Sequence, residues 1–225
     1  MRKGVPIPRE VVMKRIGAYL RSALIFDKDG TLIDTETIWF ETYVRLLTTQ
    51  NYRHDWETHR LLMGASADVC IRTLCDKHAG LTLTQAQLFR KFAEVRAERG
   101  VNPMPGATSL IEACARPGMQ IAMATSARRQ ETDEDLNLLG WKKFFSVVIT
   151  AEDVLHHKPS PEVYLLAAQR LKREPVTCVA VEDGLNGALS AMAAGMQVIF
   201  VQDQRFMMKP PPGVAGVVSS LKELL

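Results

Sequence analysis

What the chain lacks narrows the field first. Its four cysteines, Cys70, Cys75, Cys114 and Cys178, have neither the spacing of a zinc site nor that of a redox pair, which sets aside structural metal and thiol-exchange chemistry. They fit the reduced, mostly buried thiols of an intracellular protein, so a cytoplasmic location is expected. No apolar stretch is long enough to span a bilayer, and no membrane partner is expected. Basic residues exceed acids by only 28 to 25, with no long basic run and no interleaving of arginine with aromatics. A nucleic-acid polymer is therefore a poor partner. There is no internal repeat. One local bias stands out in residues 1–22, where Arg2, Lys3, Arg9, Lys14, Arg15 and Arg21 face the single acid Glu10. That bias is compatible with organelle targeting. Pro6 and Pro8 interrupt early helix, and the reading adopted is a basic N-terminal extension.

What is present is a pair of carboxylates at the end of an apolar run. Ala23-Leu24-Ile25-Phe26 leads into Asp27-Lys28-Asp29-Gly30-Thr31. Alternation along an extended segment puts Asp27 and Asp29 on one side, about 7 Å apart along the chain. Like charges so placed repel unless a cation binds between them or one stays protonated. Magnesium, a hard cation with oxygen ligands, is the natural counter-ion. The pattern points to phosphoryl transfer.

The length suits one large domain or a core with a small insertion. Asp34 or Thr35 can cap a helix carrying Ile38, Trp39, Tyr43, Leu46 and Leu47. Helices follow at about 66–78, with Val69, Cys70, Thr73 and Leu74 on one face, and at about 84–98. Asn102-Pro103-Met104-Pro105-Gly106 breaks the chain, so 37–105 reads as an all-helical unit. Beyond it helices alternate with short apolar strands. Helix 107–115 ends at Pro117-Gly118, and strand 119–124 follows. Then come helix 128–139, strand 144–149, helix 161–172 opened by Ser160-Pro161-Glu162, and strand 176–181. A small-residue helix 184–194, strand 197–201 and a short helix at 219–224 complete the chain. Alternation implies an α/β fold, a Rossmann-like doubly wound parallel sheet, with core segments 23–36 and 106–225. Ligands in such sheets bind at the carboxyl ends of the strands.

Three further polar segments map to that edge. Thr125-Ser126 follows strand 119–124, where hydroxyls and amides suit a phosphate. Lys158 precedes Pro159 and a well-capped helix, and Glu182-Asp183 closes strand 176–181. Alone, each has a plain structural explanation. Asp27 and Asp29 could close a polar turn, Thr125 could cap a helix, and Lys158 could be solvated surface. Taken in order, the four segments resemble the signature motifs of the haloacid dehalogenase superfamily, across roughly residues 23–203. The resemblance implies a nucleophile in Asp27, an acid–base in Asp29, and phosphate binding by Thr125, Ser126 and Lys158, with Lys158 also catalytic. It implies magnesium held by Asp27, Asp29 through its backbone carbonyl, and Asp183, with Glu182 either a ligand or tuning one. Lys158 would also offset the crowding of the four carboxylates. His156 and His157, adjacent on a loop, are not expected to share a metal, and His157 stands where relatives often carry a small residue.

The insertion 37–105 resembles the helical cap of the β-phosphoglucomutase-like subgroup, which implies specificity contacts from Trp39, Met63 and Gly64. Leu62-Met63-Gly64, Met104-Pro105-Gly106-Ala107, Ala124-Thr125-Ser126, Asn186-Gly187 and Ala193-Ala194-Gly195-Met196-Gln197-Val198 are most similar to the pseudouridine 5′-phosphatase-like proteins. The expected activity is a magnesium-dependent phosphatase for a small nucleotide-like or sugar phosphomonoester, working as a monomer or weak dimer. Sugar-phosphate mutases of the subgroup carry a histidine where this chain has Trp39, and a basic loop where it has Leu61-Leu62-Met63-Gly64-Ala65. Mutase chemistry is the alternative, and a catalytically silent binding protein a further one. Trp39 reads either as a base-stacking platform or, in line with Tyr43, as a core residue.

Overall fold

A computed structural model describes residues 23–114 and 119–225. The basic extension and the expected helix end at Pro117-Gly118 lie outside the described residues. In chain order the elements are β1 (Ala23–Phe26), α1 (Glu36–Thr48), α2 (Trp56–Arg60), α3 (Ala67–Lys77) and α4 (Gln85–Arg99). There follow α5 (Ala107–Cys114), β2 (Gln120–Ala124), α6 (Arg129–Leu138), β3 (Val147–Ile149), α7 (Glu162–Leu171), β4 (Cys178–Glu182), α8 (Leu185–Ala193), β5 (Gln197–Val201) and β6 (Gly216–Val218). The described residues form two compact units, Asp34–Asn102 and the rest of them.

The larger unit is a six-stranded sheet of order β3-β2-β1-β4-β5-β6. Every strand pairing in it is parallel, as the alternation of strands and helices requires. All four β1 residues are buried, since helices cover both faces of a central parallel strand. Its last residue, Phe26, is in register with Met123 of β2 and Val181 of β4. The residues following β1, β2 and β4 therefore emerge side by side at one edge. On α8 the buried positions Gly187, Ala188, Ser190 and Ala191 are all small, which lets this helix lie close against the sheet.

Several boundaries differ from expectation. Strand 144–149 begins only at Val147, because Lys142–Phe144 form a 3-10 turn. Gly140, at φ +67, ends α6, and buried Trp141 follows. Phe145 packs edge-on against Phe26 with ring centroids 6.4 Å apart, so those aromatics plug the core instead of pairing. Strand 176–181 starts at Cys178, after a 3-10 turn Pro175–Thr177 that leaves Val176 74% exposed. The expected helix at 219–224 is the 3-10 turn Leu221–Leu224. Neither β6 nor α2 was anticipated, both being too short to establish a period.

The smaller unit is helical. Tyr43, Leu47, Leu62, Cys70, Leu74, Leu81, Leu83 and Leu88 form its core. Asp34, not Thr35, caps α1, its Oδ1 accepting from the Thr37 amide at 3.2 Å. Thr84 and Gln87 form a reciprocal capping box on α4. Val69 is a correction: it is exposed, and α3 buries Cys70 and Leu74 instead. The segments leading into and out of this unit are tied in pairs. The Asp34 amide donates to the Asn102 carbonyl at 2.9 Å, the Met104 amide to Leu32 at 2.8 Å, and Ile33 bridges Pro103 antiparallel.

Candidate active site

The turn after β1 is closed by the Gly30 amide donating to the Ile33 carbonyl (2.8 Å) and by the Leu32 and Ile33 amides donating to the Lys28 carbonyl (2.9 Å each). Gly30 has φ +82, and a Cβ there would overlap the Asp183 carboxylate. Only glycine meets both demands. This close approach brings the Asp29–Gly30 backbone against Asp183. Thr31 Oγ1 donates to Asp183 Oδ1 at 2.5 Å.

Lys158 reaches into the same edge from the loop before α7. Its Nζ donates to Asp27 Oδ1 (2.6 Å), Glu182 Oε1 (2.6 Å) and the Ala124 carbonyl (3.0 Å). Buried Tyr164 donates its hydroxyl to Glu182 Oε1 at 2.7 Å. Oε2 of Glu182 accepts from the Gly184 amide at 3.2 Å. Thr125 is buried, and its Oγ1 accepts from the Ala127 amide at 3.0 Å and faces Asp29 Oδ2 at 3.5 Å. Ser126 is exposed beside it. Lys158 thus pairs directly with two of the four carboxylates, Asp27 and Glu182.

Burial, more than charge, sets the protonation of the two aspartates. Burial raises the Asp27 carboxyl to about 6 although Lys158 opposes it, with Glu182 adding to the rise. Asp29 is raised to about 6, again by burial first, against the pull of Lys28 and with Asp27 and Glu131 pushing upward. The two carboxylates hold Lys158 well above the usual lysine range, outweighing its own burial. One oxygen from each of Asp27, Glu182 and Asp183 lies within 4.8 Å of the others. Three carboxylates so close, all hard oxygen donors, fit magnesium better than a softer metal. Asp29 contributes no side-chain oxygen to that group.

Some participants escaped the sequence reading. Lys28 is wholly buried against Asp135, Glu131 and Asp29, and a lysine at the end of a core strand was itself a signal. Tyr164 carried none, and the bond of Thr31 to Asp183 and the fit of Gly187 against Glu182 depend on tertiary packing. A Cβ at Gly187 would overlap the Glu182 carboxylate. His156, 75% exposed at its side chain, pairs with Glu162, and His157 is exposed; the two share no metal cluster among the described residues.

The helical unit holds its own cavity of about 240 Å³, lined in part by Glu36, Trp39, Tyr43, His59, Met63 and Gly64. Trp39 is half-buried and stacked on Phe92, with centroids 4.0 Å apart, and on Tyr43 at 6.0 Å. It is both a packing residue and a wall of that cavity. His59 Nε2 lies 3.0 Å from Glu36 Oε2, and its Nδ1 lies 3.1 Å from His54 Nε2.

A Rossmann-like parallel sheet thus carries an acidic cluster and a buried lysine at its carboxyl edge. The chain belongs to the haloacid dehalogenase-like hydrolase family, whose profile matches residues 24–201. It is 31% identical over 183 residues to a phosphorylated carbohydrates phosphatase of Thermotoga maritima, covering 79% of this chain and 83% of that one. Identity is 30% to a fructose-1-phosphate phosphatase of Escherichia coli, with 80% and 96% coverage. Among solved structures, a Thermotoga maritima protein assigned as a β-phosphoglucomutase matches with TM-score 0.74 and 27% identity, covering 91% of this chain and 96% of that one. The subgroup resemblance thus holds, and the chain is a phosphomonoester hydrolase of this family. Resemblance to pseudouridine 5′-phosphatases in particular is not shown by these relatives. No helix among the described residues is long and apolar enough to cross a membrane.

Proposed function

We propose that the chain hydrolyses small sugar phosphates, with magnesium bound, through a phosphoryl group carried on Asp27. The observation that supports this most directly is Asp27 Oδ1 held 2.6 Å from buried Lys158 beside Glu182 and Asp183. The names of the relatives favour carbohydrate phosphates over nucleotides. An Asp27 carboxylate oxygen attacks phosphorus, and the ester oxygen leaves with a proton from Asp29. Asp29 then takes a proton from the water that attacks the aspartyl-phosphate. Lys158, Thr125 and Ser126 bind the phosphoryl oxygens, where charge must be met during transfer. Asp27, the Asp29 carbonyl and Asp183 would hold magnesium, which supplies positive charge to those oxygens. Glu182, occupied by Lys158, Tyr164 and Gly184, mainly fixes the lysine. Residues 37–105 serve as a cap that selects the ester, with Trp39, Met63 and Gly64 as contacts.

The test is phosphate release from a panel of sugar phosphates and nucleoside monophosphates, pseudouridine 5′-phosphate included, with magnesium and with chelator. Asp27→Asn should lower kcat by about 10³-fold or more. Rapid acid quench of wild type followed by mass spectrometry should find the phosphoryl group on the Asp27 peptide. Activity surviving Asp27→Asn would remove the nucleophile assignment. Isomerisation of β-glucose 1-phosphate without phosphate release would identify a mutase.

A further inference from the structure

Lys28 has no task in the chemistry above, yet its placement is costly. Its side chain is 0% exposed, with Nζ 2.8 Å from Asp135 Oδ2, 3.2 Å from Glu131 Oε1 and 3.3 Å from Asp29 Oδ1. Asp135 is equally buried, whereas Glu131 and Asp29 keep 34% of their side chains exposed. Glu131 and Asp135 stand four residues apart on α6, so both point from one helix face. An apolar residue of similar length could fill such a site without taking an ammonium out of water. What the ammonium adds is a fixed partner for one oxygen of Asp29. With Oδ1 at Lys28, Oδ2 is the oxygen that faces Thr125 and the site. Each of the two reacting carboxylates then has its own buried lysine: Lys158 for Asp27 and Lys28 for Asp29.

We propose that Lys28, anchored by Asp135 and Glu131, is a positioning residue that orients Asp29 so that Oδ2 delivers the proton to the leaving oxygen. This rests on the reading of Asp29 as proton donor. As an Asp27 oxygen bonds to phosphorus, the electrons of the breaking P–O bond pass to the ester oxygen. That oxygen takes the Oδ2 proton, and Asp29 is left as a carboxylate beside the Lys28 ammonium.

The proposal predicts a selectivity that loss of packing alone would not produce. A sugar alcohol leaves poorly without a proton, whereas p-nitrophenolate leaves without one. Since kcat/KM covers only the steps through departure of the leaving group, the later role of Asp29 as base does not enter. The experiment compares kcat/KM for a sugar phosphate and for p-nitrophenyl phosphate in Lys28→Met/Asp135→Asn, a pair chosen so that the fully buried Asp135 is not left as an unpaired charge. Expected is a loss of about 10²-fold on the sugar phosphate and only a few-fold on the aryl phosphate. Glu131→Gln, which alters only a partly exposed anchor, should show the same bias at smaller size, and it serves if the double variant does not fold. Equal losses on both substrates, or none, overturn the proposal when Asp29→Asn does show the bias. If Asp29→Asn lacks the bias, the assignment of Asp29 itself falls, and this proposal with it.

Discussion

Gly187 sits inside a helix, where no unusual backbone angle calls for glycine. Its reason is steric, since a Cβ would occupy the space of the Glu182 carboxylate. Alanine is the better helix former by about 1 kcal/mol, so Gly187→Ala should do little harm to α8 itself. It should displace Glu182 and loosen Lys158, lowering kcat by roughly 10- to 100-fold on the reading that Lys158 contacts the phosphoryl group. Steady-state kinetics beside a circular dichroism melt would separate the two effects, and unchanged kcat would show that Glu182 does not set the lysine. The motif letters Asp27, Lys158 and Asp183 were legible because strand ends and helix starts flank them. The steric fit of Gly187 under Glu182 was not, because it joins a helix interior to a strand end that only the folded sheet brings together.

Among the elements, the helical unit carries a buried polar row that the periodicity of its helices does not reveal. His54 and His59 lie before and within α2, an element too short to be read from its pattern. His54 Nδ1 is buried without a hydrogen-bond partner, and the ring packs 5.4 Å from Phe40 and 5.3 Å from Tyr43. Burial first, then His59, Lys77 and His78, lower its pKa to about 4, with Asp55 opposing. The folded state therefore refuses a proton that the unfolded chain accepts from about pH 6.5 downward. The stability tied to neutral His54 is complete above pH 6.5 and is lost as pH falls toward 4, by about 1 kcal/mol at pH 5 once solvent screening of the half-buried ring is allowed for. Urea titrations at pH 7 and pH 5 should show this loss in wild type and not in His54→Gln. An identical pH dependence in the two proteins would place the acid sensitivity elsewhere. The long helices α1, α3 and α4 were readable within a residue or two. The exposed Val69 shows where reading failed: an apolar residue beside the buried face satisfies the pattern without being part of it.

At the scale of the whole molecule, the sheet unit gathers six carboxylates (Asp27, Asp29, Glu131, Asp135, Glu182 and Asp183) around two buried lysines, Lys28 and Lys158. Burial and like-charge repulsion raise both Asp27 and Asp29, so a divalent cation should stabilise the fold as well as the reaction. Binding to the folded state alone adds about 2.7 kcal/mol when the ion is at a hundred times its Kd. Calorimetry in chelator and in excess magnesium should show a rise in Tm for wild type and little or none for Asp183→Asn. A variant that responds as wild type does would exclude Asp183 as a ligand. The parallel sheet was legible from alternating helices and apolar runs. The starts of β3 and β4 were not, because Phe144, Phe145 and Val176 look the same in one dimension as strand residues.

The paired segments at Ile33–Asp34 and Asn102–Met104 have a consequence for how such a gene can change. Hydrogen bonds already close the two ends of the inserted stretch, and the entropy of closing a loop grows only with the logarithm of its length. Helices can be added, trimmed or exchanged there as a cassette, while the strand ends that carry Asp27 and Asp29 keep their places.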